Sequence, residues 1–135
     1  MSQEIKDAAT ALAMWWSDII LNKPLNKDNG DDGRESFMLA ALVSLTARNN
    51  MQVDREHAAD AFEDALESEL LRQYQKHGER GMSLDCDYAP CEAIACAMRA
   101  AGIPLAMAPW KTHTYVKDGH AYGKFGYGKD YVKII

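Results

Sequence analysis

Three side chains in the last third of the chain could carry covalent chemistry: Cys91, His113 and His120. A thiol at the start of a helix lies in partial positive charge, which lowers its pKa and favours the nucleophilic thiolate. A histidine on a following strand would then act as the general base, which gives the hypothesis of a Cys–His thiol hydrolase. Glu92 would add negative charge beside that thiolate, and no acid or asparagine is obviously placed to orient either ring. We therefore predict a non-catalytic protein and keep the hydrolase as a third hypothesis.

The three cysteines also raise the question of a metal site. Cys86, Cys91 and Cys96 follow one another at steps of five residues, which matches no zinc-binding spacing. A Cys₂His₂ set with His113 or His120 can be written down, but buried, inert cysteines are the usual case. The prediction is no metal and no cofactor. An odd number of cysteines without a scaffold spacing favours a reducing cytoplasm.

A binding surface is the stronger prediction, and it rests on a β-hairpin around Asp118-Gly119, a pair typical of two-residue turns. Counting back from the turn pairs Tyr115 with Tyr122, and alternation separates two faces. One face is small and apolar (Thr112, Thr114, Val116, Ala121, Gly123 and Phe125). The other combines aromatic rings, imidazoles and lysines, which supply rigid contact area and positive charge. The predicted binding residues are Trp110, Lys111, His113, Tyr115, Lys117, His120, Tyr122, Lys124 and Tyr127.

The charge distribution indicates what this surface binds. Residues 1–101 contain 10 basic and 18 acidic side chains, whereas residues 102–135 contain 5 lysines and 2 aspartates. Two partners fit: a host protein with an acidic surface, or a nucleotide-like small anion that stacks on an aromatic ring while Lys111 or Lys124 holds its phosphate. Duplex nucleic acid is disfavoured because most of the body is acidic. The simpler alternative is that Tyr115 and Tyr122 only stabilise the sheet as a cross-strand pair.

The elements that position these residues form a predicted α+β domain spanning 1–135, with helices in 1–77 and a β-α-β-β-β part in 82–135. Apolar steps of three and four residues predict a first helix capped by Ser2, and Asp54 caps a third. Phe37–Leu45 is apolar nearly all round, which predicts that the second helix is the central one. Alternation over 82–88 predicts a strand, and Pro90 then starts a fourth helix. Gly102 and Pro104 predict a Schellman ending for that helix. From Leu105 onward the pattern predicts strands, the last at Tyr131–Ile135.

Two further segments bear on subunit assembly and on the start of the second helix. Trp15 and Trp16 cannot both occupy the centre of one apolar stripe, so one of them flanks it and lies against another element or a second subunit. The simpler alternative is that both are core residues. The prediction is a homo-oligomer with Trp15 and Trp16 in its interface. Asn26–Gly33 is an acidic loop whose spacing does not match an EF-hand, and Asp31 or Asp32 is expected to cap the second helix. Neither a membrane span nor a signal peptide is expected.

Several short blocks together resemble a class of small phage and prophage proteins. The resemblance is scattered over most of the chain and includes no catalytic signature. It implies a helical N-terminal half, a small C-terminal sheet and a cytoplasmic protein that binds and inhibits a host factor, such as a host-defence system. Where that class is expected to have an acidic residue after Tyr-x-Pro, this chain has Cys91. The blocks are Trp15-Trp16 with Asp18, Asp28-Asn29-Gly30-Asp31, Asp87-Tyr88-Ala89-Pro90, Ala101-Gly102-Ile103, Pro109-Trp110-Lys111-Thr112 and Gly126-Tyr127-Gly128.

Overall fold

The structure is a computed structural model that describes residues 1–23, 35–126 and 129–135, and residues 35–37 by their backbone alone. The described residues form four α-helices and a four-stranded antiparallel sheet, so the protein is α+β, as predicted. Two short 3₁₀ turns, Gly78–Met82 and Leu105–Met107, connect these elements. The elements are α1 (Gln3–Asn22), α2 (Glu35–Asn49), α3 (Arg55–His77), β1 (Leu84–Cys86), α4 (Glu92–Ala100), β2 (Thr112–Lys117), β3 (His120–Lys124) and β4 (Val132–Lys133).

The helices α1 and α3 form the centre of the molecule. Both caps are as predicted: the Ser2 hydroxyl accepts a hydrogen bond from the Ile5 amide, and the Asp54 carboxylate accepts one from the His57 amide. Trp16 is fully buried, and its indole Nε1 donates to the Thr114 hydroxyl at 2.9 Å. This buried hydrogen bond fastens α1 to the inner face of the sheet.

The sheet has the order β1-β2-β3-β4, with the predicted hairpin at its centre. Tyr115 pairs with Tyr122 and Lys117 with His120, which confirms the predicted register. The turn residues Asp118 and Gly119 both have positive φ, 54° and 80°, as a type I′ turn requires. The Glu79 carboxylate accepts from both turn amides and holds the tip against the preceding 3₁₀ turn. The inner face is buried as predicted at Thr112, Thr114, Val116, Ala121 and Gly123, whereas Phe125 is only half-buried.

At Gly123, α1 and the C-terminal segment both lie close against the sheet. A Cβ at this position would lie 2.8 Å from Ile134 Cδ1 and 2.9 Å from Trp15 Cζ2. We expect Gly123→Ala to destabilise the fold by about 1–3 kcal/mol, because the indole and the C-terminal segment must shift. Urea denaturation measures this, with Lys124→Ala on the opposite face of the same strand as the control. An unfolding free energy equal to that of the control would show that the contact relaxes freely.

The helix α4 begins later than predicted and ends as predicted. Its first residue is Glu92, with Cys91 as N-cap, whereas Pro90 forms a bridge to Cys86. At the other end the Ile103 amide bonds the Met98 carbonyl at 2.9 Å, and the Gly102 amide bonds that of Arg99 at 3.2 Å. With φ of 71° at Gly102, this is the Schellman motif. A following 3₁₀ turn replaces the strand predicted from Leu105.

The prediction that α2 is the central helix is wrong. Met38, Leu39 and Leu42 are 60–63% exposed, and the side of α2 that meets the rest of the protein carries mainly small residues such as Ala40 and Ser44. The sequence misleads here because Phe37–Leu45, with Ser44 as its one polar residue, has no polar side to show which face is buried.

Three smaller predictions are also corrected or fall outside the described residues. The strand predicted over 82–88 is shorter, and Tyr88 is 54% exposed beyond its end. Trp16 has no exposed surface and cannot itself form a subunit interface, while Trp15 is half-buried against the core. The loop 26–33 with its capping aspartate, and Tyr127 with Gly128, lie outside the described residues. Within the described ranges, no helix is long and apolar enough to cross a membrane.

Candidate functional site

The face of the sheet opposite α1, here called the outer sheet face, carries most of the predicted binding residues. Strand alternation places His113, Tyr115 and Lys117 of β2 on this side, and β3 adds its own alternate residues. The C-terminal segment contributes residues that the sequence prediction did not include. The outer sheet face consists of Asp85, His113, Tyr115, Lys117, His120, Tyr122, Lys124, Tyr131 and Lys133.

Aromatic rings form a contiguous cluster at its centre. Tyr115 and Tyr122 stack with centroids 5.2 Å apart, and Tyr131 meets the edge of Tyr115 at the same distance. His113 stacks on Tyr115 at 6.0 Å and meets Tyr131 edge-on at 5.8 Å. The cross-strand pair therefore stabilises the sheet, as the simpler alternative proposed, and it also builds a preformed aromatic surface.

Both ring nitrogens of His113 have hydroxyl partners. Nε2 lies 3.0 Å from Ser83 Oγ, and Nδ1 lies 2.6 Å from the Tyr131 hydroxyl. Burial lowers the pKa of His113 below the ordinary histidine value and outweighs the opposing effect of Asp85, and Lys124 adds a smaller decrease. The ring is therefore neutral at pH 7 and positions Tyr131 over the cluster.

Acidification should destabilise the fold through His113. Because the pKa of His113 is lower in the folded protein, the unfolded chain binds a proton more readily. Protonation therefore reduces the free energy of unfolding as pH falls from about 6.5 towards the folded-state pKa. We expect the melting temperature to fall over that range, and to fall less in His113→Gln. His77→Gln, in the last turn of α3, is the matched control. Equal slopes in the two variants would contradict the prediction.

Lysines surround the aromatic cluster. Lys124 lies 5.7 Å from the centre of the Tyr131 ring, Lys133 is exposed opposite Tyr122, and Lys117 is exposed beside the turn. Asp85, which pairs with His113, is the acidic member of this surface. Three lysines against one carboxylate make the outer sheet face basic on an otherwise acidic chain.

Trp110 and Lys111 lie at the edge of this surface, where Lys111 lines a groove together with His113 and Lys124. Lys111 has a φ of 52°, which turns the chain just before β2. Its ammonium pairs with Asp87 and lies 4.5 Å from the centre of the Tyr88 ring. Trp110 meets Tyr88 edge-on at 5.1 Å. The predicted binding set is therefore divided between the sheet and the segment around Tyr88.

The proposed catalytic pair shares no hydrogen bond among the described residues. Cys91 is half-buried at the start of α4, in the wall of a cavity of about 570 Å³ between α3 and α4. His113 bonds Ser83 and Tyr131, whereas His120 Nδ1 lies 3.3 Å from the Ile135 carbonyl oxygen.

Replacement of Cys91 by alanine should therefore leave biological activity unchanged, and loss of activity in a folded variant would revive the hydrolase hypothesis.

The other two thiols are protonated at neutral pH. Burial, with smaller contributions from Cys91 and nearby aspartates, raises the pKa of Cys86 to about 12, and its Sγ donates to the Pro109 carbonyl. The hydrogen bond to Glu92 raises the pKa of Cys96. In the part of the chain that the structure describes, no cluster of three or more metal-binding side chains occurs. A thiolate is the reactive form, so neither cysteine is activated.

Comparison with known proteins assigns the chain to no family. No protein-family model matches the chain, and no curated protein matches it. The interpretation of the outer sheet face therefore depends on its own side chains.

Proposed function

We propose that this protein is a non-catalytic binding protein whose outer sheet face docks on an acidic surface of another protein. The observation that supports this is the preassembled cluster of Tyr115, Tyr122 and Tyr131 beside Lys117, Lys124 and Lys133. Tyrosines that are already packed lose little conformational freedom on binding, which favours affinity. Lysines around an aromatic centre speed association with an acidic partner and reject basic ones.

We further propose that the partner is a host factor that the protein inhibits, with a host-defence system as the target. The resemblance of several short blocks to small phage and prophage proteins supports this setting. An aromatic and basic binding surface fits inhibition by occlusion, because blocking a partner needs contact area and no chemistry.

Capture from bacterial lysate tests the surface. Immobilised wild-type protein should retain a specific partner that mass spectrometry identifies, and Tyr115→Ala should retain at least about tenfold less, as expected for a central aromatic contact. Met14→Ala truncates a large exposed side chain of α1, outside the sheet, and should retain the wild-type amount. Equal capture by wild type and Tyr115→Ala would exclude the outer sheet face.

A small anionic ligand is the second candidate, and one groove favours it. This groove of about 320 Å³ is lined by Lys111, Lys124 and His113, next to the aromatic cluster. Asp85 and Asp87 line it as well, so a polyphosphate would meet two carboxylates there. We therefore expect nucleotides to leave the melting temperature unchanged, and a rise that saturates with nucleotide concentration would favour this candidate over the protein partner.

A further inference from the structure

The helix α2 presents its large side chains to solvent and its small ones to the protein. Met38, Leu39 and Leu42 are exposed by 63%, 62% and 60%, and Ser44 by 1%. A surface helix of a soluble protein ordinarily shows the reverse, with large apolar side chains inward. This arrangement is what a helix needs when its large side chains pack against a second molecule.

The exposed apolar surface continues beyond α2. A groove of about 370 Å³ separates α2 from the 3₁₀ turn at Leu105–Met107, and Leu39 and Val43 form one side of it. Tyr88, 54% exposed, and Leu105, 39% exposed, form the other side. Contiguous patches of this kind mark interaction sites, unlike single exposed leucines. The α2 patch consists of Met38, Leu39, Leu42, Val43, Leu45, Tyr88 and Leu105.

We propose that the α2 patch is the interface of a homodimer in which α2 of one copy packs against α2 of a second. Met38, Leu42 and Leu45 follow one another at steps of four and three, the spacing that forms a seam between two paired helices. Ala41 lies between these residues, so the seam presents large side chains and a space into which a large side chain of an identical partner can pack. The interface does not involve the outer sheet face, so the proposal stands independently of the proposed function.

Charge and area both favour a second copy as the occupant. Residues 36–47 contain no ionisable side chain, so a two-fold axis places the seam against itself without like charges in contact. The seven side chains of the patch, each roughly half exposed, offer several hundred Å², which approaches the ~800 Å² that each partner contributes to a standard interface. An uncharged patch also lacks the groups that would select a charged partner. Residues 24–34 contain three aspartates and Leu25 as their only large aliphatic side chain, a poor composition for covering such a patch.

Sedimentation of the full chain over a dilution series tests the dimer. Wild type should sediment with twice the mass of the chain and dissociate on dilution, and Met38→Glu should be monomeric throughout. Met14→Glu is the matched control, because Met14 is 56% exposed on α1 and lines a different groove, with Arg55 and Glu63. It should remain dimeric. Circular dichroism of both variants verifies that they are folded, as expected for substitutions at exposed positions.

Disulfide trapping locates the interface by a second route. In a Cys96→Ser background, which removes the exposed native thiol, Leu42→Cys should give a covalent dimer under mild oxidation. Met14→Cys in the same background should stay monomeric. A wild type that is monomeric at every concentration would overturn the proposal. The patch would then be covered by a different protein or by residues 24–34 of the same chain. A dimer that survives both Met38→Glu and Leu42→Glu would overturn its location.

Discussion

Reversing the charge of Lys124 and Lys133 to glutamate should weaken binding of the acidic partner by about tenfold to a hundredfold. Both lysines lie on the outer sheet face, one beside the Tyr131 ring and the other opposite Tyr122. Like charges placed against an acidic surface cost several kcal/mol when buried and slow the association when they lie at the rim. Surface plasmon resonance with the captured partner measures both effects, and the loss should fall mainly on the association rate.

The salt dependence provides the check on this electrostatic explanation. Binding of wild type should weaken as ionic strength rises, since screening shortens the range of the attraction. Reversal of Lys6 together with Lys76, two exposed lysines of α1 and α3, changes the net charge equally and should have little effect. If this distant pair weakens binding as much as Lys124 and Lys133 do, net charge and not the outer sheet face steers the partner.

Trp16→Ala should remove about 3–5 kcal/mol from the free energy of unfolding, a large part of the ~5–15 kcal/mol that a domain possesses. The indole is fully buried between α1 and the sheet, so alanine leaves a cavity there. It also leaves the Thr114 hydroxyl, itself fully buried, without its donor. Chemical denaturation followed by the fluorescence of Trp15 and Trp110 measures the loss.

A double-mutant cycle separates the packing of Trp16 from its hydrogen bond. Trp16→Phe keeps most of the volume but leaves the Thr114 hydroxyl unpaired, a loss of about 1–3 kcal/mol. Combining it with Thr114→Val should recover part of that loss, because neither polar group then remains unpaired in the core. Trp15→Phe, at the half-buried neighbour, should have a smaller effect. Additive effects of Trp16→Phe and Thr114→Val would show that the hydrogen bond contributes nothing to stability.

Trp16 also illustrates a limit of sequence analysis. The apolar spacing of α1 includes both Trp15 and Trp16, and that spacing alone does not show whether either ring faces a second subunit. The distinction depends on Thr114, which lies 98 residues away in the sequence and accepts a hydrogen bond from the indole N–H. No periodicity within α1 carries that information.

What the sequence determined by itself is local. The Asp118-Gly119 turn specified the pairing of Tyr115 with Tyr122, and Gly102 specified the end of α4, because each depends on backbone conformations within a few residues. Long-range contacts, by comparison, bring Tyr131 into the aromatic cluster and pair Lys111 with Asp87. Such contacts also set which side of α2 faces the protein, since residues 36–47 have no charged side chain to mark a solvent-facing side. These outcomes depend on contacts between residues far apart in the chain, and composition and period do not encode them.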